Sequence, residues 1–168
     1  MANRARWKSL AREDHGGTLV EFAISASLLL MAFFGIIDFS RALYAYHFVS
    51  YAAQEGTRYA MVRGNDWSGA CASASSFDCS INSSNQGLVQ TYVQGLATPG
   101  ISAGSVTATP SWPGTNAGGS SAGCSTAANS QGCLVKVKVS YVFYFFTPSY
   151  LSNSSMTMTA TSEKVIEY

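Results

Sequence analysis

The feature that most restricts how this chain can fold is an apolar run at residues 17–37, GTLVEFAISASLLLMAFFGII, in which Glu21 is the one charged side chain. In an α-helix these residues would extend about 31 Å, which matches the hydrocarbon core of a lipid bilayer. A conventional secretory signal differs, since its apolar region is shorter and a small-residue cleavage site follows it. We therefore expect residues 17–37 to span a membrane.

A hydrophilic leader, MANRARWKSLAREDHG, occupies residues 1–16 and carries four basic side chains, Arg4, Arg6, Lys8 and Arg12. Arg41 is the only basic residue in the turns just after the apolar run. By the positive-inside rule, this asymmetry predicts a cytoplasmic leader and an extracytoplasmic chain beyond residue 38. Charged residues make up 11% of the chain, less than half the share in a typical soluble domain, which also favours contact with lipid or a partner.

A pair of glycines, Gly16 and Gly17, joins the leader to the apolar run. The order in which Glu21 and then Phe22 follow this pair is typical of type IV prepilin-like signals, whose leader is removed on the cytoplasmic side. Cleavage between Gly16 and Gly17 would make Glu21 the fifth residue of the mature chain, although two adjacent glycines define the bond only to within one residue. The sequence thus predicts that the leader is cleaved off.

Glu21 requires a physical explanation, because a carboxylate in the middle of a membrane costs on the order of 3 kcal/mol. One interpretation is that its side chain lies near the end of the span and reaches the polar interface. The other is that cleavage exposes the positive α-amino group of Gly17, and that Glu21 of a neighbouring subunit pairs with it. Such a pair would be strong in a low dielectric, and its loss costly, so that Glu21 would set the axial register between subunits.

Three short motifs point to one family: VEF at residues 20–22, GIID at 35–38 and AQEGTR at 53–58. Together with the glycine pair, the segment 16–60 resembles TadE-family pseudopilins, minor subunits of the bacterial tight-adherence pilus. The resemblance implies processing by a prepilin peptidase in the inner membrane and a structural role in pilus assembly and surface adhesion. It also implies contacts with other pilin or pseudopilin subunits, an inner-membrane assembly platform and the lipid bilayer. The exported part would be periplasmic, or on the pilus or cell surface after assembly.

The helical pattern continues beyond the predicted membrane span. Apolar or small residues recur at steps of three and four, and no proline interrupts residues 38–63. We expect one helix over residues 17–63, about 70 Å long, whose outer half must be covered by a sheet or by another subunit. The spacing of Glu55 and Arg58 predicts an exposed ion pair on it. The recurring positions are Ile36, Phe39, Leu43, Tyr46, Val49, Ala53, Gly56 and Ala60.

The remaining residues, 64–168, are predicted to form one extracytoplasmic domain. Alternating apolar and polar residues predict strands at 103–109, 134–146 and 155–166, and a short helix is expected at 85–97. The predicted fold class is therefore α+β and pilin-like, with a long transmembrane-plus-exported helix packed on a small antiparallel sheet.

The second predicted strand, LVKVKVSYVFYFF, changes character along its length. Up to Tyr141 one face is apolar and the other is polar, but beyond Tyr141 both faces are apolar. Exposed apolar surface of this kind usually marks an interaction site. We expect this end to be covered by the long helix, by the membrane surface or by another subunit.

Four cysteines, Cys71, Cys79, Cys124 and Cys133, lie in polar sequence rich in Ser, Gly, Ala and Asn. Such loops bury little apolar surface, so disulfides would restrain them in an oxidising compartment. The alternative is a zinc site with four cysteine ligands, but the C-x7-C and C-x8-C spacings lack the short knuckles typical of one. Of the three possible pairings, Cys71 with Cys79 and Cys124 with Cys133 require the fewest assumptions.

The sequence contains no pattern typical of an enzyme: no nucleophile elbow, no metal-spaced histidines, no phosphate loop and no paired carboxylates. Of its two histidines, His15 lies in the leader and His47 has no acid or nucleophile at a recognisable spacing. The net charge of +1 and the scattered Lys and Arg residues predict no nucleic-acid partner. We expect a structural minor pseudopilin without enzymatic activity, cofactor or metal; the alternative is a signal-anchored extracytoplasmic binding protein outside any pilus.

Overall fold

The structure, a computed structural model, describes residues 15–67, 79–82, 85–125, 129–146 and 155–167. Within these residues the chain forms two α-helices and then three strands. The helices are α1 (His15–Met61) and α2 (Gly87–Gly95), and the strands are β1 (Val106–Ser111), β2 (Leu134–Tyr144) and β3 (Ser155–Val165). A 3-10 turn, Ala103–Ser105, leads into β1.

The three strands form one antiparallel sheet in the order β1-β2-β3. Val139 of the central strand lies opposite Ala108 of β1 and Ala160 of β3, which fixes the register on both sides. Because successive side chains on a strand point to opposite faces, Val135, Val137 and Val139 of β2 are buried while Lys136 and Lys138 are exposed. The sheet therefore has one apolar face and one polar face.

The outer half of α1 packs on the apolar face of the sheet, and α2 lies beside it. Fully burying a valine stabilises a fold by roughly 1.5 kcal/mol or more, so β2, with three valines at zero exposure, contributes much of the core. The helix contributes mainly small side chains, which allow it to approach the sheet closely. The core includes Ala45, Phe48, Val49, Ala52, Ala53, Ala60, Leu88, Val89, Val93, Val106, Val135, Val137, Val139, Tyr141 and Phe143.

Backbone hydrogen bonds join the far end of α1 to the loops and to the carboxyl end of β3. Ile81 N donates to Arg63 O at 2.8 Å, and Glu167 N donates to Met61 O at 3.0 Å. The buried Asn129 accepts from Asn65 N through its backbone carbonyl, at 2.9 Å. These bonds close the end of the body that is furthest from the apolar run.

The α+β prediction is confirmed, since a long amino-terminal helix packs on a three-stranded antiparallel sheet. The helix begins two residues earlier and ends two residues earlier than predicted, at His15 and Met61 in place of residues 17 and 63. The predicted strands are found with shifts of up to three residues, and the predicted helix at 85–97 is shorter, Gly87–Gly95.

The predicted apolar face of the helix is correct only in its outer part. Val49, Ala53, Gly56 and Ala60 are buried, but the four earlier members, Ile36, Phe39, Leu43 and Tyr46, are exposed. The helix instead turns smaller residues such as Ala42 and Ala45 toward the sheet. Steps of three and four fit two neighbouring faces of a helix equally well, and close packing on the sheet selected the face with the smaller side chains.

Candidate functional site

The inner half of α1, residues 16–37, is the part of the described chain that no other element covers. Its most apolar window of 18 residues has a mean hydropathy of 2.2, and none of that window is buried. Within it, Ser27 Oγ donates to Ile24 O of the same helix at 2.8 Å. Length and composition make this half of α1 fit a membrane anchor.

Gly16, Gly17, Glu21 and Phe22 all lie in the first two turns of this exposed half. Gly17 and Glu21 are four residues apart, so they share one helix face and are separated by one turn. Phe22, beside them, is 73% exposed. The structure thus brings the predicted cleavage position and the predicted register residue together on one surface.

The environment of Glu21 is apolar along the helix, with exposed Leu19, Val20 and Ile24 as neighbours. Among the described residues, Glu21 has no hydrogen-bond or ion-pair partner. In a bilayer, an unpaired carboxylate at this position carries a cost that a cationic partner would remove.

No packing contact explains the two glycines at the start of the helix. A Cβ atom added to Gly16 or Gly17 would have no neighbouring atom within 4 Å, and neither residue has a positive φ. Neither close approach nor backbone conformation within the described residues therefore requires glycine there.

Asp38 lies where the apolar run ends, and its side chain is buried although it carries a charge, with 4% of the residue exposed. Its Oδ1 accepts a hydrogen bond from Phe146 N at 3.0 Å and an ion-paired one from Arg41 Nη1 at 3.3 Å. The guanidinium of Arg41 also lies over the ring of Phe143, with Cζ at 5.3 Å from its centroid. Asp38 thus joins the helix to the chain just beyond β2, at the level where the apolar run ends.

Sequence reasoning placed Asp38 in a family motif but assigned it no role. The available signal was an acidic residue directly after an apolar run, where burial is expensive unless hydrogen bonds compensate it. Its partner, the backbone N–H of Phe146, lies 108 residues further along the chain, so no local sequence pattern could predict this contact.

The AQEGTR motif at 53–58 lies where α1 crosses both the sheet and α2. A Cβ on Gly56 would approach Val93 Cγ2 to 2.9 Å and Val137 Cγ1 to 3.3 Å, so glycine permits this crossing. Thr57 is fully buried, and its hydroxyl group, which donates to Ala53 O at 2.7 Å, lies 3.3 Å from Ser162 O of β3. These two positions of the motif serve to pack α1 on the sheet and on α2.

The two charged residues of that motif form an ion pair in which Arg58 is exposed and Glu55 is half-buried. Arg58 Nη1 contacts Glu55 Oε1 at 2.9 Å, as the sequence predicts. Next to this pair, Tyr59 stacks on Tyr92 with ring centroids 4.3 Å apart, and the guanidinium of Arg63 lies 4.2 Å from the Tyr59 centroid. Burial, and to a smaller extent the nearby Glu55 carboxylate, raises the pKa of Tyr92 above its ordinary value.

Three of the four cysteines lie within the described residues. Cys124 and Cys133 are joined by a disulfide that closes a short loop, one of the two local pairs that the spacing favours. This bond removes two thiolates from the alternative four-cysteine zinc site. Cys79 is also disulfide-bonded and is buried, whereas Cys71 lies outside the described residues.

Comparison with known proteins identifies the amino-terminal segment. The family model described as TadE-like protein matches residues 16–58, which include the glycine pair, Glu21, Asp38 and the AQEGTR motif. No curated protein and no solved structure matches the chain. The resemblance drawn from the sequence is confirmed for this segment.

Proposed function

We propose, with the TadE-like match of residues 16–58 as the premise, that this chain is a non-enzymatic minor pseudopilin of a tight-adherence pilus. In this proposal the inner half of α1 spans the inner membrane, residues 1–16 lie in the cytoplasm and the α+β body lies in the periplasm. Cleavage by a prepilin peptidase then releases a subunit that enters, or supports, a filament.

The observation that carries the proposal is Glu21, a carboxylate on an exposed apolar helix with no partner among the described residues. A helix that served only as an anchor would gain stability in lipid by exchanging this residue for an apolar one, since the charge is costly there. A role between subunits accounts for it, because removal of the leader creates a positive amino group on Gly17.

The pairing would favour one axial register between neighbouring subunits. When a neighbouring subunit is correctly stacked, its Glu21 meets the new α-amino group, and the two charges compensate each other in a low dielectric. A subunit displaced along the axis would leave both charges unpaired, and leaving a buried charge unpaired costs about 3–5 kcal/mol. The uncut leader would prevent the pairing, so processing would precede assembly.

Intact mass measurement tests the processing step. The protein would be purified from membranes of cells that contain either an active prepilin peptidase or one inactivated at its catalytic aspartates. We expect the mass to differ by residues 1–16, with Gly17 as the new amino terminus. A chain that keeps its leader in both strains would contradict the proposal and favour a signal-anchored binding protein.

A pair of variants tests the role of Glu21 separately from cleavage. Glu21→Gln keeps the size and polarity of the side chain but removes its charge, whereas Glu21→Asp keeps the charge on a shorter side chain. We expect both to be processed, and only Glu21→Gln to be lost from the sheared filament fraction. Incorporation of Glu21→Gln at the normal level would refute the register pairing.

A further inference from the structure

The end of β2 nearest the apolar run exposes large apolar side chains, in contrast to the rest of the sheet. Tyr144 is 61% and Phe146 is 70% exposed, and Phe145 and Met156 are also exposed. Elsewhere, the exposed positions of β2 and β3 are occupied mainly by Lys, Thr, Ser and Glu. The exposed apolar surface of the sheet is therefore concentrated at one end; we refer to Tyr144, Phe145, Phe146 and Met156 as the aromatic tip.

One residue of the aromatic tip, Phe146, contacts the apolar run of α1. The ring of Phe146 contacts that of Phe34 on α1, with centroids 6.2 Å apart. Phe34 precedes the end of the apolar run at residue 37 by three residues, or about 4.5 Å along the helix axis. A bilayer that covers residues 17–37 would consequently cover the ring of Phe146 as well.

Two polar groups beside the aromatic tip are paired with each other. The backbone N–H of Phe146, two residues beyond the end of β2, donates to Asp38 Oδ1 at 3.0 Å. Arg41 contacts the same oxygen, so the carboxylate is compensated. Unpaired backbone groups are expensive in lipid, and this bond lowers the cost of placing Phe146 at the interface.

The surface of the tip is continuous with the apolar surface of the helix. A groove of about 560 Å³ between them is lined largely by apolar side chains, among them Phe39, Leu43, Phe145 and Met156. Tyrosine and other amphipathic rings are favoured at the level of lipid head groups. Arg41, just above, can direct its charge outward while its stem remains in apolar surroundings.

From this geometry we propose that the aromatic tip is a second membrane contact, inserted into the outer face of the bilayer beside α1. It holds the α+β body against the membrane in a single orientation before assembly. The inference rests on the proposed anchor, since the depth of the tip is measured from the apolar run of α1. It adds a lipid-binding surface on the sheet to the helix that spans the membrane.

Site-specific fluorescence in vesicles tests the contact. The full chain, with its native disulfides intact, would carry one added cysteine labelled with the environment-sensitive dye NBD and be reconstituted in phosphatidylethanolamine and phosphatidylglycerol. The test positions are Phe146→Cys and Tyr144→Cys, with Leu29→Cys in the middle of the span and Lys164→Cys at the far end of β3 as controls. The unsubstituted chain serves as the labelling blank.

Two quenchers distinguish the surroundings of each dye: nitroxide-labelled lipid in the bilayer, and iodide in the water on both sides. We expect the dyes at 146 and 144 to lose emission to the lipid quencher, to resist iodide and to emit at shorter wavelength than the dye at 164. The dye at 164 should respond to iodide only. Quenching by iodide of the dye at 146, together with normal lipid quenching of the dye at 29, would refute the membrane contact of the aromatic tip. The same result would remain consistent with α1 as a membrane anchor.

Two other outcomes would also overturn the inference. A dye at 146 that resists both quenchers would be covered by protein, which means a second copy of the chain in place of lipid. Absence of lipid quenching at 29 would show that α1 does not span the bilayer, and this result would refute the proposed anchor itself.

Discussion

Substitution of Gly56 by alanine tests the idea that a glycine in the family motif allows α1 to cross the sheet. The added Cβ would lie 2.9 Å from Val93 Cγ2, 3.3 Å from Val137 Cγ1 and 3.7 Å from Val89 Cγ1. All three valines are fully buried and, being β-branched, can rotate little without new clashes. The strain must therefore be relieved by moving a helix or strand.

The magnitude follows from two opposing effects. Alanine is favoured over glycine within a helix by about 1 kcal/mol, whereas overpacking a filled core costs about 1–3 kcal/mol. We expect Gly56→Ala to lower the free energy of unfolding by about 1 kcal/mol, which for a body of about 100 residues lowers Tm by about 5 °C. The direction of the change is informative, because helix propensity alone predicts that Gly56→Ala raises the free energy of unfolding.

Thermal unfolding of the detergent-solubilised full chain, followed by near-ultraviolet circular dichroism, measures this change. Gly87→Ala is a matched control, since a Cβ there has no neighbour within 4 Å and should raise stability slightly or leave it unchanged. Val93→Ala should be less harmful in the presence of Gly56→Ala than alone, because it removes the clashing methyl group. A Gly56→Ala variant as stable as Gly87→Ala would refute the close-contact argument.

Three further substitutions test other contacts of the body. Asp38→Ala should lower the free energy of unfolding by about 1–3 kcal/mol, because the N–H of Phe146 is left unpaired. Asp38→Asn should lower it less, because the amide oxygen can still accept this hydrogen bond. Equal losses for the two variants in a denaturant titration would contradict the hydrogen bond. Replacing Cys124 and Cys133 together by alanine should cost no more than about 3 kcal/mol for so short a loop, measured by urea unfolding; an unchanged midpoint would mean that the bond does not restrain the body. Because the pKa of Tyr92 is raised above its unfolded value of 10.0, the neutral phenol contributes stability that is fully present below the unfolded pKa and is lost as the pH rises through the folded pKa. Tyr92→Phe should therefore lose less stability in this alkaline range than the unsubstituted chain. Identical curves of unfolding free energy against pH for the two proteins would refute this.

The proposed pilus assembly and the proposed membrane contact of the aromatic tip favour different surroundings for α1. Assembly requires the apolar half of α1 to leave its lipid surroundings and pack against other subunits, while the aromatic tip would favour the membrane-bound state. If both hold, extraction from the bilayer must break the contact of the tip with lipid as well as that of the span. Weakening the tip would then ease extraction without changing cleavage at Gly16.

Local regularities in the sequence were sufficient for the elements of the fold. The apolar run, the absence of proline through residue 63 and the alternation around Val137 each depend on neighbours a few residues apart, so the long helix and the central strand were predicted with small errors at their ends. The Glu55–Arg58 pair was predictable for the same reason, because the spacing of the helix alone brings the two side chains together.

The sequence by itself determined the order of the elements, the apolar character of residues 17–37 and the position of Glu21 within them, since periodicity and composition are local properties of a chain. Only the tertiary structure decided which face of α1 meets the sheet, why a side chain at Gly56 would crowd the core and that Asp38 meets the backbone of Phe146. These outcomes depend on residues far apart in the chain approaching within a few ångströms, and the spacing of one segment contains no information about the shape of another.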